Sequence, residues 1–220
     1  MKENMIYNTN IYQLREPQIL RILNIIQLNK SSNSNGTLFF GDSITQLMDI
    51  NKYFEKTPIK YNCGIAGFTS ECLLLILDEA VIKFKPSHLV LMIGTNDLGE
   101  TVMSSPREIA LRIKDIVEIT TNNLPSIKIT LISPIPCIEK IHGNIELRGL
   151  RNNLTLKTIT KEIKYFLKHF TNIEIIDLFD NFLDPYTGDL IYRFTDDGLH
   201  LNEEGYLLYT EIIKSKSKFL

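Results

Sequence analysis

From Thr37 onward, short apolar runs alternate with longer segments whose apolar residues recur at helical spacing. The short runs predict strands at residues 37–40, 59–62, 89–93, 127–132 and 173–178. They are apolar on successive residues and often β-branched, the pattern of strands covered on both faces. The segments between them predict helices. Residues 71–84 are apolar nearly all round, as a well-buried helix would be. Ser105-Pro106-Arg107-Glu108 is a capping box with proline in the first turn, and Ile109, Ile113, Ile116 and Val117 behind it mark one helical face. Residues 148–170 carry a stripe through Leu150, Leu154, Ile159, Ile163, Phe166, Leu167 and Phe170. Asn202 is placed to cap a last helix with Glu203 and Glu204 in its first turn.

Ahead of this alternation, residues 1–13 read as irregular, 17–28 as a helix with Pro17 in its first turn, and 31–36 as a loop. That helix is apolar on more than one face, through Ile19, Leu20, Ile22, Leu23, Ile25 and Ile26. It either packs on the core of its own chain or forms a subunit interface, so a homo-oligomer through this helix is one expectation.

Alternating strands and helices imply a parallel sheet with helices on both faces. The expected fold is α/β: a three-layer α/β/α sandwich around a five-stranded parallel sheet in the flavodoxin-like order 2-1-3-4-5. Residues 1–36 form an N-terminal extension with one helix, and residues 37–220 form the domain proper. No composition break, repeat or low-complexity linker divides them.

The chain has 220 residues, 44% of them hydrophobic, enough for a sizeable core. Its net charge is −2 and its pI about 6.1. With no basic patch, nucleic acid and anionic membrane are not expected partners. Cys63, Cys72 and Cys137 cannot all pair and form no Cys-x-x-Cys motif, which suits a reducing compartment. The N-terminus lacks a signal-peptide pattern, and no apolar run reaches the length of a membrane span. A cytoplasmic protein is the expectation.

Four polar motifs fall where the strands should end, the side on which open α/β sheets build their sites. They are Gly41-Asp42-Ser43, the glycine block at 62–69, Gly94-Thr95-Asn96-Asp97, and Asp197-Gly198-Leu199-His200. A serine at a strand-to-helix turn lies beside free backbone N–H groups, which suit a developing negative charge. In the expected strand order Ser43 lies between the Gly67 loop and Asn96. The N–H groups of Ser43 and Gly67 and the Asn96 amide then supply three donors to an oxyanion. Asp197 and His200 are close enough in sequence for the carboxylate to reach Nδ1, leaving Nε2 to take the serine proton. His200 must be neutral for that, so activity is expected to fall as it protonates in acid. Residues 179–196 are long enough to carry the pair back over the sheet, at roughly 3.3 Å per extended residue.

These four blocks, in this order, resemble those of the SGNH, or GDSL-type, hydrolase superfamily of esterases and lipases. The resemblance runs from about residue 38 to 209. The serine block has Ile44 where the name-giving pattern has leucine. In the glycine block the resemblance points to Gly67 rather than Gly64. It implies a serine ester hydrolase with no metal and no cofactor, acting on a small-molecule ester. Ser43, His200 and Asp197 would be catalytic, and Ser43, Gly67 and Asn96 would form the oxyanion hole.

Two rivals remain at this stage: an acyltransferase that moves an acyl group onto a sugar hydroxyl with the same site, and a non-catalytic α/β binding module. Asp196, Asp197 and His200 lack the further histidine or cysteine that a zinc site needs. Asp42 and Asp97 read as structural, His88, His142 and His169 as structural or solvated, and Cys63 as packing. The pocket walls are expected from residues 98–105, 134–149 and 186–194, with Tyr186, Tyr192 and Phe194 able to stack a sugar.

Overall fold

A computed structural model describes residues 14–99, 103–143 and 151–220. The first element is α1 (Glu16–Lys30), with proline in its first turn. Then come β1 (Thr37–Gly41), α2 (Ser43–Leu47), α3 (Ile50–Tyr53), β2 (Lys60–Gly64), α4 (Ser70–Leu75) and α5 (Leu77–Ala80). Strand β3 (His88–Met92), α6 (Pro106–Asn123), β4 (Lys128–Ile132), α7 (Glu139–His142) and α8 (Asn153–Leu167) follow. Strand β5 (Ile173–Ile176), α9 (Phe179–Phe182) and α10 (Glu203–Lys216) complete the chain.

The five strands form one parallel sheet in the order β2-β1-β3-β4-β5. That is the expected order, and every strand lies within two residues of its expected position. Side chains alternate between two apolar layers. Leu38, Phe40, Leu89, Leu91, Ile129 and Leu131 face one layer, closed by residues of α1, α4, α5, α6 and α8. Phe39, Val90, Met92 and Ile132 face the other, closed by α2, α3, α9 and α10. This is the three-layer sandwich, and it explains why the strands read as continuous apolar runs.

Two helices depart from expectation. The helix expected at 71–84 breaks at Ile76 and again at Val81. The Ile76 and Phe84 amides bond three residues back, to Leu73 and Val81, tightening the turn at each break. The tightened path buries Leu73, Leu77, Ala80, Val81 and Phe84 together under the sheet. Helix α8 starts at Asn153 rather than 148, because the Asn152 side chain accepts the Thr155 N–H and caps it there. Residues 148–150, like 1–13, lie outside the described residues.

Helix α1 is bound to the rest of the chain by polar contacts as well as by Ile25. Arg21 donates to the carbonyls of Gly64 (3.0 Å) and Asn62 (2.7 Å), and Asn29 donates to that of Glu79 (2.8 Å). Its outer residues Leu20 and Leu23 remain exposed. No described helix is long and apolar enough to cross a membrane.

Candidate active site

The order β2-β1-β3 places a reversal of strand order at β1, and a crevice opens there at the strand C-termini. Each side chain at that crevice is fixed by its own loop. Strand β1 ends at Gly41, where a Cβ would collide with the Met92 carbonyl oxygen and Thr45 Oγ1. Only glycine lets β1, β3 and α2 meet so closely. Asp42 follows and caps α2, its Oδ1 accepting the Ile44 N–H at 3.0 Å. Ser43 is the first residue of α2, and α10 holds that turn from behind through a Tyr206 hydroxyl donating to the Ile44 carbonyl at 2.7 Å.

The glycine block is tied to the same helix. Asn62 donates from Nδ2 to the carbonyls of Thr45 (2.7 Å) and Met48 (3.1 Å) at the C-terminal end of α2. Its Oδ1 accepts the Gly64 N–H at 3.0 Å. Gln46, three residues after Ser43 and so on the same helical face, accepts the Ala66 N–H at 2.6 Å. Gly67 has φ +75°, and the Phe68 N–H returns to the Ile65 carbonyl at 3.2 Å. Asn96 lies in the turn after β3 and donates from Nδ2 to the Phe68 carbonyl at 3.0 Å. Beside it Asp97 is fully buried, accepting the Ser70 N–H at 3.0 Å and the Ser70 hydroxyl.

The segment before α10 forms a second tight turn. Thr195 Oγ1 accepts the Gly198 N–H at 2.8 Å, and Gly198 has φ +88°. Asp197 Oδ1 accepts the N–H groups of Leu199 (2.9 Å) and His200 (2.8 Å). Its Oδ2 lies 2.6 Å from His200 Nδ1. Burial works against ionising this carboxyl, but the hydrogen bonds from the His200 ring and the two amides outweigh it and hold the group well below the usual carboxylate range. An ionised carboxylate only accepts, so Nδ1 carries the proton and Nε2 of the neutral ring is an acceptor. That Nε2 is 2.9 Å from Ser43 Oγ. His142 on α7 donates from Nε2 to the Asp197 carbonyl at 2.8 Å and braces the turn from outside.

Ser43, Gly67, Asn96 and His200 therefore line one cavity of about 320 Å³, with Asp197 behind the imidazole. The structure brings all five sequence-derived residues together. Among the described residues, the cavity walls lie elsewhere than expected. They come from Arg15, Pro17 and Gln18 of the N-terminal segment, with Gln46, Ile65, Ala66 and Leu199. None of the described parts of 98–105, 134–149 or 186–194 lines it, and Tyr186 and Tyr192 point into solvent. Residues 100–102 and 144–149 lie outside the described residues. Gln18, Gln46 and His142 lie outside the four blocks, and Asn62 opens the glycine block without being singled out within it. Gln46 has a local signal in its i+3 spacing from Ser43. All three cysteines are buried and unpaired, and burial pushes the Cys63 thiol up to about 12.

Residues 39–208 match the GDSL-like Lipase/Acylhydrolase family. The chain belongs to that family, which makes it a hydrolase of acyl esters, and its sheet has the SGNH hydrolase topology. Among solved structures, a candidate platelet activating factor from Streptococcus pneumonia is 26% identical. The match covers 90% of this chain and 92% of that one, with a TM-score of 0.80. A GDSL-like lipase from Bacteroides thetaiotaomicron VPI-5482 is 22% identical over 88% of this chain and 95% of its own, with a TM-score of 0.74. Axe2, an acetylxylan esterase from Geobacillus stearothermophilus, in a catalytic-mutant form, is 18% identical. That match covers 84% and 95% of the two chains, with a TM-score of 0.65. No curated protein matches by sequence.

Proposed function

We propose that the protein is a serine esterase that cleaves small carboxylic esters through an acyl-enzyme on Ser43. The observation that carries this reading is the unbroken line from Ser43 Oγ through the His200 ring to Asp197 Oδ2, with contacts of 2.9 and 2.6 Å. In this mechanism His200 Nε2 takes the hydroxyl proton as Oγ bonds to the acyl carbon. The carbonyl π pair moves to oxygen, and the resulting oxyanion accepts from the N–H groups of Ser43 and Gly67 and from Asn96 Nδ2. Asn96 uses one amide hydrogen on the Phe68 carbonyl, and its second remains for this task. The oxyanion collapses, the C–O bond to the alcohol breaks, and the alcohol leaves with the proton from His200. Water, deprotonated by the same nitrogen, then releases the acid and restores Ser43. Asp197 orients the ring and stabilises the imidazolium between these steps.

The cavity volume of about 320 Å³ is at the small end of the range for ligand pockets, which favours short acyl groups over long lipid chains. The similarity to Axe2 is compatible with an acetyl ester. A fluorophosphonate probe should label the parent protein and leave Ser43→Ala unlabelled, and 4-nitrophenyl acetate should be cleaved by the first and not the second. Equal labelling or equal cleavage by the two would overturn the assignment.

A further inference from the structure

Helix α1 lies outside the four sequence blocks, yet it reaches the middle of the site. Gln18 is 4% exposed, and its two amide atoms face in different directions. Oε1 accepts the Arg15 N–H at 2.9 Å, closing the start of α1. Nε2 donates to the Ala66 carbonyl at 2.9 Å, across 48 residues of chain. Only one orientation of the amide satisfies both bonds, because one partner is a donor and the other an acceptor.

The carbonyl that Gln18 holds belongs to the Ala66–Gly67 peptide. In a trans peptide the C=O and the following N–H point in opposite directions. Fixing the Ala66 oxygen therefore fixes the direction of the Gly67 N–H, the donor assigned above to the oxyanion. Residues 65–68 form a turn closed by the Phe68 N–H on the Ile65 carbonyl, and Gly67 at its third position has φ +75°. This is the type II arrangement. The alternative, type I, turns the central peptide over by roughly half a revolution and points its N–H the other way. Glycine at the third position takes either sign of φ at little cost, so the turn's own sequence leaves the two orientations close in energy. The N–H of the preceding peptide, on Ala66, is anchored separately by Gln46 Oε1 at 2.6 Å.

We propose that Gln18 is a positioning residue for the reaction: its bond to the Ala66 carbonyl latches the Ala66–Gly67 peptide and so sets the direction of the Gly67 N–H assigned to the developing oxyanion. The N-terminal helix is then part of the catalytic apparatus rather than an appendage. This inference rests on the assignment of Ser43 as nucleophile and Gly67 as donor.

Gln18→Glu is the discriminating variant. It keeps an oxygen for the Arg15 N–H, and glutamate suits the third position of a helix start. It replaces the donor to Ala66 with an acceptor, which favours the flipped peptide. The measurements are kcat, KM, the melting temperature, and the inhibition constant of a trifluoromethyl ketone, whose hydrated or serine-bound form mimics the tetrahedral intermediate. A mis-set donor should lower kcat by about tenfold or more, within the 10²–10³ that complete loss of one costs, while KM stays within about twofold. The ketone should weaken by a factor similar to the fall in kcat. Gln18→Ala should show the same split with a larger loss of melting temperature, because the helix start is lost too. A Gln18→Glu enzyme with parental kcat overturns the latch, whatever its melting temperature. The two readings fail separately. If cleavage by the parent does not depend on Ser43, the esterase assignment falls and the latch with it. If it does depend on Ser43 and Asn96→Ala lowers kcat while Gln18→Glu does not, only the latch falls.

Discussion

Ser43 Oγ and His200 Nε2 meet at 2.9 Å although 157 residues separate them in the chain. Each is placed by a tight local turn, and the sheet supplies the distance between the turns. Ser43 follows the Gly41 bend at the end of β1. His200 is set by two backbone bonds to Asp197 Oδ1 and the positive φ of Gly198. Because backbone builds the site, deleting one side chain should leave the frame standing. Ser43→Ala is expected to lower kcat for 4-nitrophenyl acetate on the order of 10⁴-fold or more, with the melting temperature close to parental. Steady-state kinetics and a thermal scan check both halves.

Asn96 bridges the glycine loop and the cavity. Its Nδ2 holds the Phe68 carbonyl, so part of its role is structural. Asn96→Ala is expected to lower kcat on the order of 10²–10³-fold with KM little changed, since the lost donor matters most once charge sits on oxygen. Asn96→Asp should be at least as impaired, because it sets a carboxylate against that charge. A variant that is destabilised but fully active would remove Asn96 from the oxyanion hole.

The parts of this architecture that were legible in the sequence are those encoded locally. The strands carry continuous apolar runs because helices cover both faces of the sheet, and the four polar blocks are short turns whose residues are chosen for backbone geometry. What could not be read depends on contacts distant in sequence. Gln18 meets Ala66, and Arg21 meets Gly64, only because α1 lies across the glycine block. A glutamine and an arginine on a helix carry no mark of that. The described walls of the cavity depart from expectation for the same reason: the aromatic loop near the end of the chain suits a ligand by composition, but the fold directs Tyr186 and Tyr192 outward. The late start of α8 did have a local signal, Asn152 with Thr155 three residues on, which the apolar stripe around it obscured.

Asp97 tests the frame separately from the chemistry. Its carboxylate accepts both the N–H and the hydroxyl of Ser70 at the start of α4, and all of these atoms belong to buried residues. Asp97→Ala would leave those donors unsatisfied, at about 1–3 kcal/mol for a buried group. The urea midpoint should drop accordingly. Ser70→Ala, which removes the hydroxyl but keeps the N–H, should cost less. Equal midpoints for Asp97→Ala and the parent would show that the bond contributes nothing net.

Asp42 makes stability depend on pH. The residue is fully buried, Oδ1 accepts the Ile44 N–H, and Oδ2 has no hydrogen-bond partner among the described residues. Burial is the main cause that lifts its carboxyl from 3.8 to about 7, with nearby Asp97 adding to it and the Ile44 bond, His200 and Arg151 opposing. An acid raised in the folded state binds its proton more tightly there than in the unfolded chain. Its contribution is therefore most favourable below the unfolded value, near ~3.9, and is lost as pH rises through the folded value of about 7. Asp42→Asn keeps the oxygen that caps α2 and cannot ionise. The difference in melting temperature between Asp42→Asn and the parent should then move in favour of the variant as pH rises from about 4 to 7, and stay level above that. Asp97, lifted to about 6 chiefly by its own burial, is present in both proteins, so to first order it drops out of the difference. Paired thermal scans across this range read the slope directly. A difference that does not change with pH would mean that Asp42 ionises in the folded protein as it does in the unfolded chain, and that water or a proton donor reaches its second oxygen.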